Sequence, residues 1–133
     1  MSTYSYWTNS TAVATDAGSQ VTDFDGFGRT VQSRAGSPSA TLSITDMQYA
    51  PCACSPIGKL KRVSRPYAVG GTPKYTEYTY DGRGRTVTVA LPDSAGQTTY
   101  LYEGNTVKVT SPGRDVNRPI WKKYTMDALG NLV

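Results

Sequence analysis

The sequence predicts an all-β chain of tandem antiparallel hairpins forming a curved or spiralling sheet. Three observations carry this. A six-residue turn phrase recurs along the chain, runs with strand character flank each copy, and Pro/Gly/Ser connections separate the units, while no segment sustains a helical period.

The phrase reads Phe24-Asp25-Gly26-Phe27-Gly28-Arg29, then Tyr80-Asp81-Gly82-Arg83-Gly84-Arg85, then Met126-Asp127-Ala128-Leu129-Gly130-Asn131. Two weaker copies fill the gaps: Cys54-Ser55-Pro56-Ile57-Gly58-Lys59 and a shortened Tyr102-Glu103-Gly104-Asn105. Units therefore start near positions 24, 54, 80, 102 and 126. A period of this size marks an array of small units, none of which buries its apolar face alone. Within each phrase the aromatic ends one strand, the Asp accepts hydrogen bonds from amides shortly after it, and the Gly takes a positive φ. The expected turn residues are Asp25, Gly28, Gly58, Asp81, Gly84, Asp127 and Gly130.

The flanks agree. Thr86-Val87-Thr88-Val89-Ala90-Leu91 and Thr106-Val107-Lys108-Val109-Thr110 alternate β-branched with smaller or polar residues. Lys74 to Tyr80, Thr98 to Tyr102 and Ile120 to Met126 are rich in residues that fit a pleated surface. Gly36-Ser37-Pro38, Pro66 to Pro73, Pro92 to Gly96 and Ser111 to Arg114 punctuate the strands. Residues 1–19 carry no copy of the phrase and are left unassigned; Thr11 to Ser19 is the most helix-like stretch, and a poor one because of Gly18. Residues 20–133 form the array.

At 133 residues and 14.4 kDa the chain is of single-domain size. Much of its 38 % hydrophobic content is aromatic, with ten Tyr, two Trp and two Phe, which fits a thin β-layer with half-wet faces better than a thick aliphatic core. Tyr80, Tyr102 and Tyr124 are the expected structural rungs. No apolar stretch is long enough for a membrane span, and the N-terminus has no charged region followed by an apolar run. The chain stops directly after a turn phrase, as a segment cut from a longer protein does, and its end strands are expected to self-associate through open edges.

The three strong phrases, with Val107-Lys108-Val109-Thr110-Ser111-Pro112-Gly113 downstream, resemble the YD repeats of bacterial Rhs proteins, relatives of insecticidal toxin-complex subunits and teneurins. The resemblance covers residues 20–133. It implies a structural repeat segment of a β-shell that encloses or presents a toxin or other C-terminal effector, with neighbouring repeats of the parent protein as its partners. It also implies a parent that is secreted or at the cell surface of a bacterium. The chain departs from the pattern where Cys54 and Ser55 replace the aromatic and Asp, and where the fourth turn is shortened. Nothing resembles the family's self-cleaving C-terminal core, so no catalytic residue is carried over.

Independent chemistry points the same way. The chain has no His, which removes the usual neutral-pH base and the His-dependent triads and zinc sites. The repeated Asp residues read as turn acceptors rather than an acid–base pair. Cys52 and Cys54 fall short of a zinc set; two apart in a strand they would join in a disulfide only with strain, and they read as small packing residues in a variant turn, with a soft-metal or redox pair as the alternative. No enzyme activity, cofactor or metal is assigned. The net charge of +4 and the run Lys59 to Arg65 read as a solvated strand and not a nucleic-acid site. The alternative function is a carbohydrate- or protein-binding module using Tyr75, Tyr78, Tyr100, Trp121 and Tyr124.

Overall fold

The computed structural model describes residues 10–15, 18–37, 39–113 and 118–133. It is all-β. Ten strands, β1 (Ser10–Thr15), β2 (Gly18–Phe24), β3 (Thr30–Ser37), β4 (Ala40–Cys52), β5 (Ser55–Ser64), β6 (Tyr75–Tyr80), β7 (Thr86–Ala90), β8 (Gln97–Glu103), β9 (Thr106–Ser111) and β10 (Ile120–Thr125), follow one another in a single open antiparallel sheet whose spatial order is the chain order. The only helical turn among the described residues is a 3-10 turn at Pro92–Ser94. No helix among the described residues is long and apolar enough to cross a membrane. Thr11 to Thr15, the stretch with most helical character in the sequence, is strand: β1 lies in register against β2, with Thr11 opposite Thr22 and Val13 opposite Gln20. Pairing decides its conformation over a weak local preference.

Two compact units divide the chain. The first takes in the described residues up to Tyr49 together with Arg62–Tyr75; the second takes in Ala50–Lys61 and the described residues from Thr76 onward.

In the first unit the register aligns Thr11, Thr22, Ser33 and Thr45 in one row across β1 to β4. The opposite face carries a polar network. Arg34 pairs with Asp23 at 2.7 Å, Gln32 donates to one oxygen of Asp46 at 2.8 Å, and the Tyr67 hydroxyl donates to the other at 2.6 Å. The backbone of Tyr67 bridges Ile44 through two hydrogen bonds, which brings the loop after β5 against β4. Ser64, the one buried polar residue among those described, accepts from the Asp46 amide at 2.8 Å.

In the second unit Thr79, Thr88, Thr99 and Thr110 line up across β6 to β9 with Trp121 at the end of the row. The hydroxyls of Thr79 and Thr88 lie 2.6 Å apart. The other face carries Tyr78, Tyr100, Tyr102 and Tyr124 with Val89, Val107 and Val109 between them. Cross-strand pairs of β-branched and aromatic residues are the unit of stabilisation in such a sheet. No aliphatic or aromatic side chain among the described residues is buried, so half-buried rings and polar ladders do the work of a core.

Candidate functional site

The recurring feature of the molecule is a clamp at each Asp turn. Asp25 Oδ1 accepts from the amides of Phe27 and Arg29, both at 2.9 Å, and Oδ2 accepts from Arg29 Nε at 2.7 Å and pairs with Nη2 at 2.6 Å. Asp81 repeats this with Arg83 and Arg85: amides at 2.9 Å, Nε and Nη2 at 2.7 Å. At Asp127 the two amides are those of Leu129 and Asn131, and the Asn131 side-chain amide at 3.0 Å stands where the guanidinium would be. Gly28, Gly84 and Gly130 occupy the same place in each turn, at φ +75°, +79° and +83°. Leading into the first two turns, a bulge sets Phe24 opposite Thr30 and Tyr80 opposite Thr86.

These bonds favour the charged carboxylate. The Arg29 side chain, helped by its own amide and that of Phe27, holds Asp25 below the usual carboxylate range. For Asp81 the Arg85 amide is the largest cause and the Arg85 side chain adds to it. For Asp127 it is the Asn131 side chain.

The clamped arginine also reaches forward. Arg85 lies 4.1 Å from the centroid of the Tyr102 ring, and Tyr102 returns a hydroxyl hydrogen bond to the Thr86 carbonyl at 2.9 Å. Lys59 lies 4.8 Å from the Tyr80 ring, and the Tyr80 hydroxyl donates to the Leu60 carbonyl at 2.8 Å. Arg29 lies 4.2 Å from the ring of Tyr49. In each case the cation that closes one unit stacks on the aromatic that heads the next. Burial pushes the hydroxyls of Tyr80 and Tyr102 up.

This contact relocates the head of the second unit. The sequence ruler put it at Cys54, whereas the ring that receives Arg29 is Tyr49. The chain does not reverse at Gly58 either: the turn is Ala53–Cys54, and Gly58 lies within β5 at φ +87°. A Cβ there would come within 2.7 Å of the Ala50 carbonyl, so the glycine serves a close backbone approach and not a hairpin tip. Between Tyr49 and Lys59 an elongated hairpin replaces the short Asp turn.

The tip of that hairpin is closed by a Cys52–Cys54 disulfide, which corrects the reading of these cysteines as packing residues. Two residues apart in an extended strand they would stand too far from each other. The reversal at Ala53–Cys54 brings their Cα atoms to 5.1 Å, inside the range a disulfide spans.

The five aromatics proposed as a ligand face do not share one surface. Tyr78, Tyr100 and Tyr124 lie on one face of the second unit, and Trp121, 59 % exposed, lies on the other with Lys108 at 5.1 Å from its ring. Tyr75 belongs to the first unit, where Arg62 lies 4.3 Å from its ring and also donates to Gln48 Oε1 at 2.8 Å. Within the basic run, then, Lys59 and Arg62 are engaged with rings and polar groups of the sheet. The stacking cations Arg29, Lys59 and Arg85, and the ring of Tyr49, escaped the sequence reading. For the cations the signal was present as a basic residue directly after Gly28, Gly58 and Gly84. No group of three or more His, Cys, Asp or Glu side chains placed to hold a metal ion occurs among the described residues. No protein-family model matches the chain, and no curated protein matches it.

Proposed function

We propose that the chain is a non-catalytic repeat segment of an Rhs/YD-type β-wall, which in its parent protein encloses or presents a toxin or other effector domain. The observation that carries this reading is the forward contact. At Arg29 and Arg85 the cation is held by the Asp of its own turn and lies against the ring of Tyr49 or Tyr102, and Lys59 lies against Tyr80 in the same way, so nearest-neighbour contacts contribute to stability, as in repeat architectures generally. A sheet of sequential hairpins in which no aliphatic or aromatic side chain among the described residues is buried suits a thin wall whose two faces meet different surroundings. The neighbouring repeats of the parent are then its partners, and a secreted or cell-surface location in a bacterium follows from the same reading.

The test is the intact mass of the native gene product with peptide mapping of its flanks. A product of much higher mass than 14.4 kDa, with further Asp-turn hairpins on both sides, is expected. A native product near 14.4 kDa overturns the wall reading. The exposed Trp121 favours a second reading, a glycan- or protein-binding module. Its test is glycan binding by the isolated chain that is lost in Trp121→Ala.

A further inference from the structure

The disulfide at the tip of the β4–β5 hairpin sits beside a cleft of the second unit lined by Cys52, Lys59, Lys61, Tyr78 and Tyr80. Cys52 faces this cleft. Cys54 is on the side of the Asp81 turn: its Sγ and the Lys59 ammonium both lie within 4 Å of the point where a Gly84 side chain would begin, at 3.9 and 3.2 Å. Half-buried Cys52 thus lines the cleft, while Cys54 lies on the side where the Lys59 ammonium donates to the Gly84 carbonyl at 2.5 Å.

We propose that Cys52–Ala53–Cys54 is a thiol–disulfide exchange site that takes anionic low-molecular-weight thiols. Closing a ring with a single intervening residue removes little chain entropy, so this disulfide lacks the stabilisation that holds long-loop disulfides oxidised. Lys59 and Lys61 supply positive charge to a thiol carrying carboxylates, and the rings of Tyr78 and Tyr80 supply an apolar wall. In the first step a thiolate attacks Cys52 Sγ. The Cys52–Cys54 bond breaks, a mixed disulfide forms at Cys52, and the electron pair leaves on Cys54 Sγ as a thiolate beside Lys59, where a neighbouring ammonium stabilises it. A second thiolate then attacks the small-molecule sulfur of the mixed disulfide. It releases the oxidised dimer of the thiol and leaves Cys52 as a thiolate, which takes a proton from water. Two thiols are oxidised and one disulfide is reduced.

The test uses the full oxidised chain with glutathione, which is anionic, and cysteamine, which is cationic, each at matched thiolate concentration. Reactions are quenched by alkylation and read by mass spectrometry. The ratio of the two rates is compared with that of a free oxidised Cys-Ala-Cys peptide. A glutathione preference well above the peptide's is expected, falling to the peptide's value in Lys59→Gln/Lys61→Gln and at high salt. Lys61→Gln alone, at an exposed position, is expected to lower the preference without disturbing the Tyr80 contact. A wild-type ratio equal to the peptide's, a preference unchanged in the lysine variants, or a disulfide that glutathione leaves intact each overturns the proposal.

Discussion

Arg85 holds Asp81 with two of its nitrogens and lies 4.1 Å from the centroid of the Tyr102 ring, so one guanidinium closes its own turn and seats the next strand pair. The ring contact should show as coupling between the two residues. In a double-mutant cycle of Arg85→Ala and Tyr102→Leu, read by urea unfolding, we expect about 0.5–1 kcal/mol of interaction. Tyr102→Phe keeps the ring and removes only the hydroxyl bond to Thr86, costing about 0.5–1.5 kcal/mol. Arg85→Lys should behave more like the alanine variant than its charge suggests, since one ammonium cannot hold Asp81 in a fork while lying over the ring. Additive single variants would remove the forward contact as a source of stability.

The two glycines of the Asp81 turn should respond in opposite ways. Gly84 sits at φ +79°, and a Cβ there would meet Lys59 Nζ at 3.2 Å; Gly82 has open space around it and no positive φ. A β-branched residue at positive φ costs about 1–2 kcal/mol before any contact is counted. Gly84→Val should therefore lower the melting temperature clearly. Gly82→Val should stay within about 0.5 kcal/mol of wild type. Equal melting temperatures for the two variants would contradict the assigned turn geometry.

Most of the sheet was legible because its signals are local. Thr86 to Ala90 and Thr106 to Ser111 alternate as strands do, and an Asp followed by Gly three positions on specifies a turn by its own hydrogen bonds. What escaped depends on contacts between units. Nothing near Tyr49 marks it as a unit head; only the ring's position over Arg29 does. Gly58 and Lys59 mimic the end of a turn phrase, and the true reversal five residues earlier has no Asp to announce it. The Cys52–Cys54 bond followed from that reversal and was hidden along with it. Trp121 and Tyr124 looked like parts of one face, although an odd spacing along β10 sends them to opposite sides.

Acid should weaken the fold through the Asp turns. Asp25, Asp81 and Asp127 titrate below the ordinary carboxylate value of 3.8, because amides and the Arg29, Arg85 and Asn131 side chains bind the charged form. A folded-state value below the unfolded one stabilises the fold fully above about pH 4, and this contribution disappears as pH falls through the lowered values. Melting temperature should accordingly be flat from neutral pH to about 4 and then drop. Asp81→Asn and Asp25→Asn should each start lower at neutral pH and flatten the acid drop. Asp127→Asn should change both least, since its partner is an uncharged amide. An acid profile identical in wild type and Asp81→Asn would show that these carboxylates do not govern it.

Alkali tests the first unit. The Tyr67 hydroxyl donates to Asp46 at 2.6 Å, and that bond, with burial and the nearby negative charge, pushes its ionisation up to about 12 from an ordinary 10.0. The raised value means that the fold holds this proton more tightly than the unfolded chain does. Its contribution is complete below pH 10 and is lost as pH rises through about 12. Ultraviolet titration of the phenolates should show one late step near 12 that is absent in Tyr67→Phe. In Asp46→Asn the same step should move down, because an amide oxygen is a weaker acceptor and carries no charge. The variant pair separates the two causes: if the late step survives in Tyr67→Phe it belongs to another ring, Tyr80 and Tyr102 being the candidates that burial also raises. If it stays in place in Asp46→Asn, burial and not the carboxylate holds the proton.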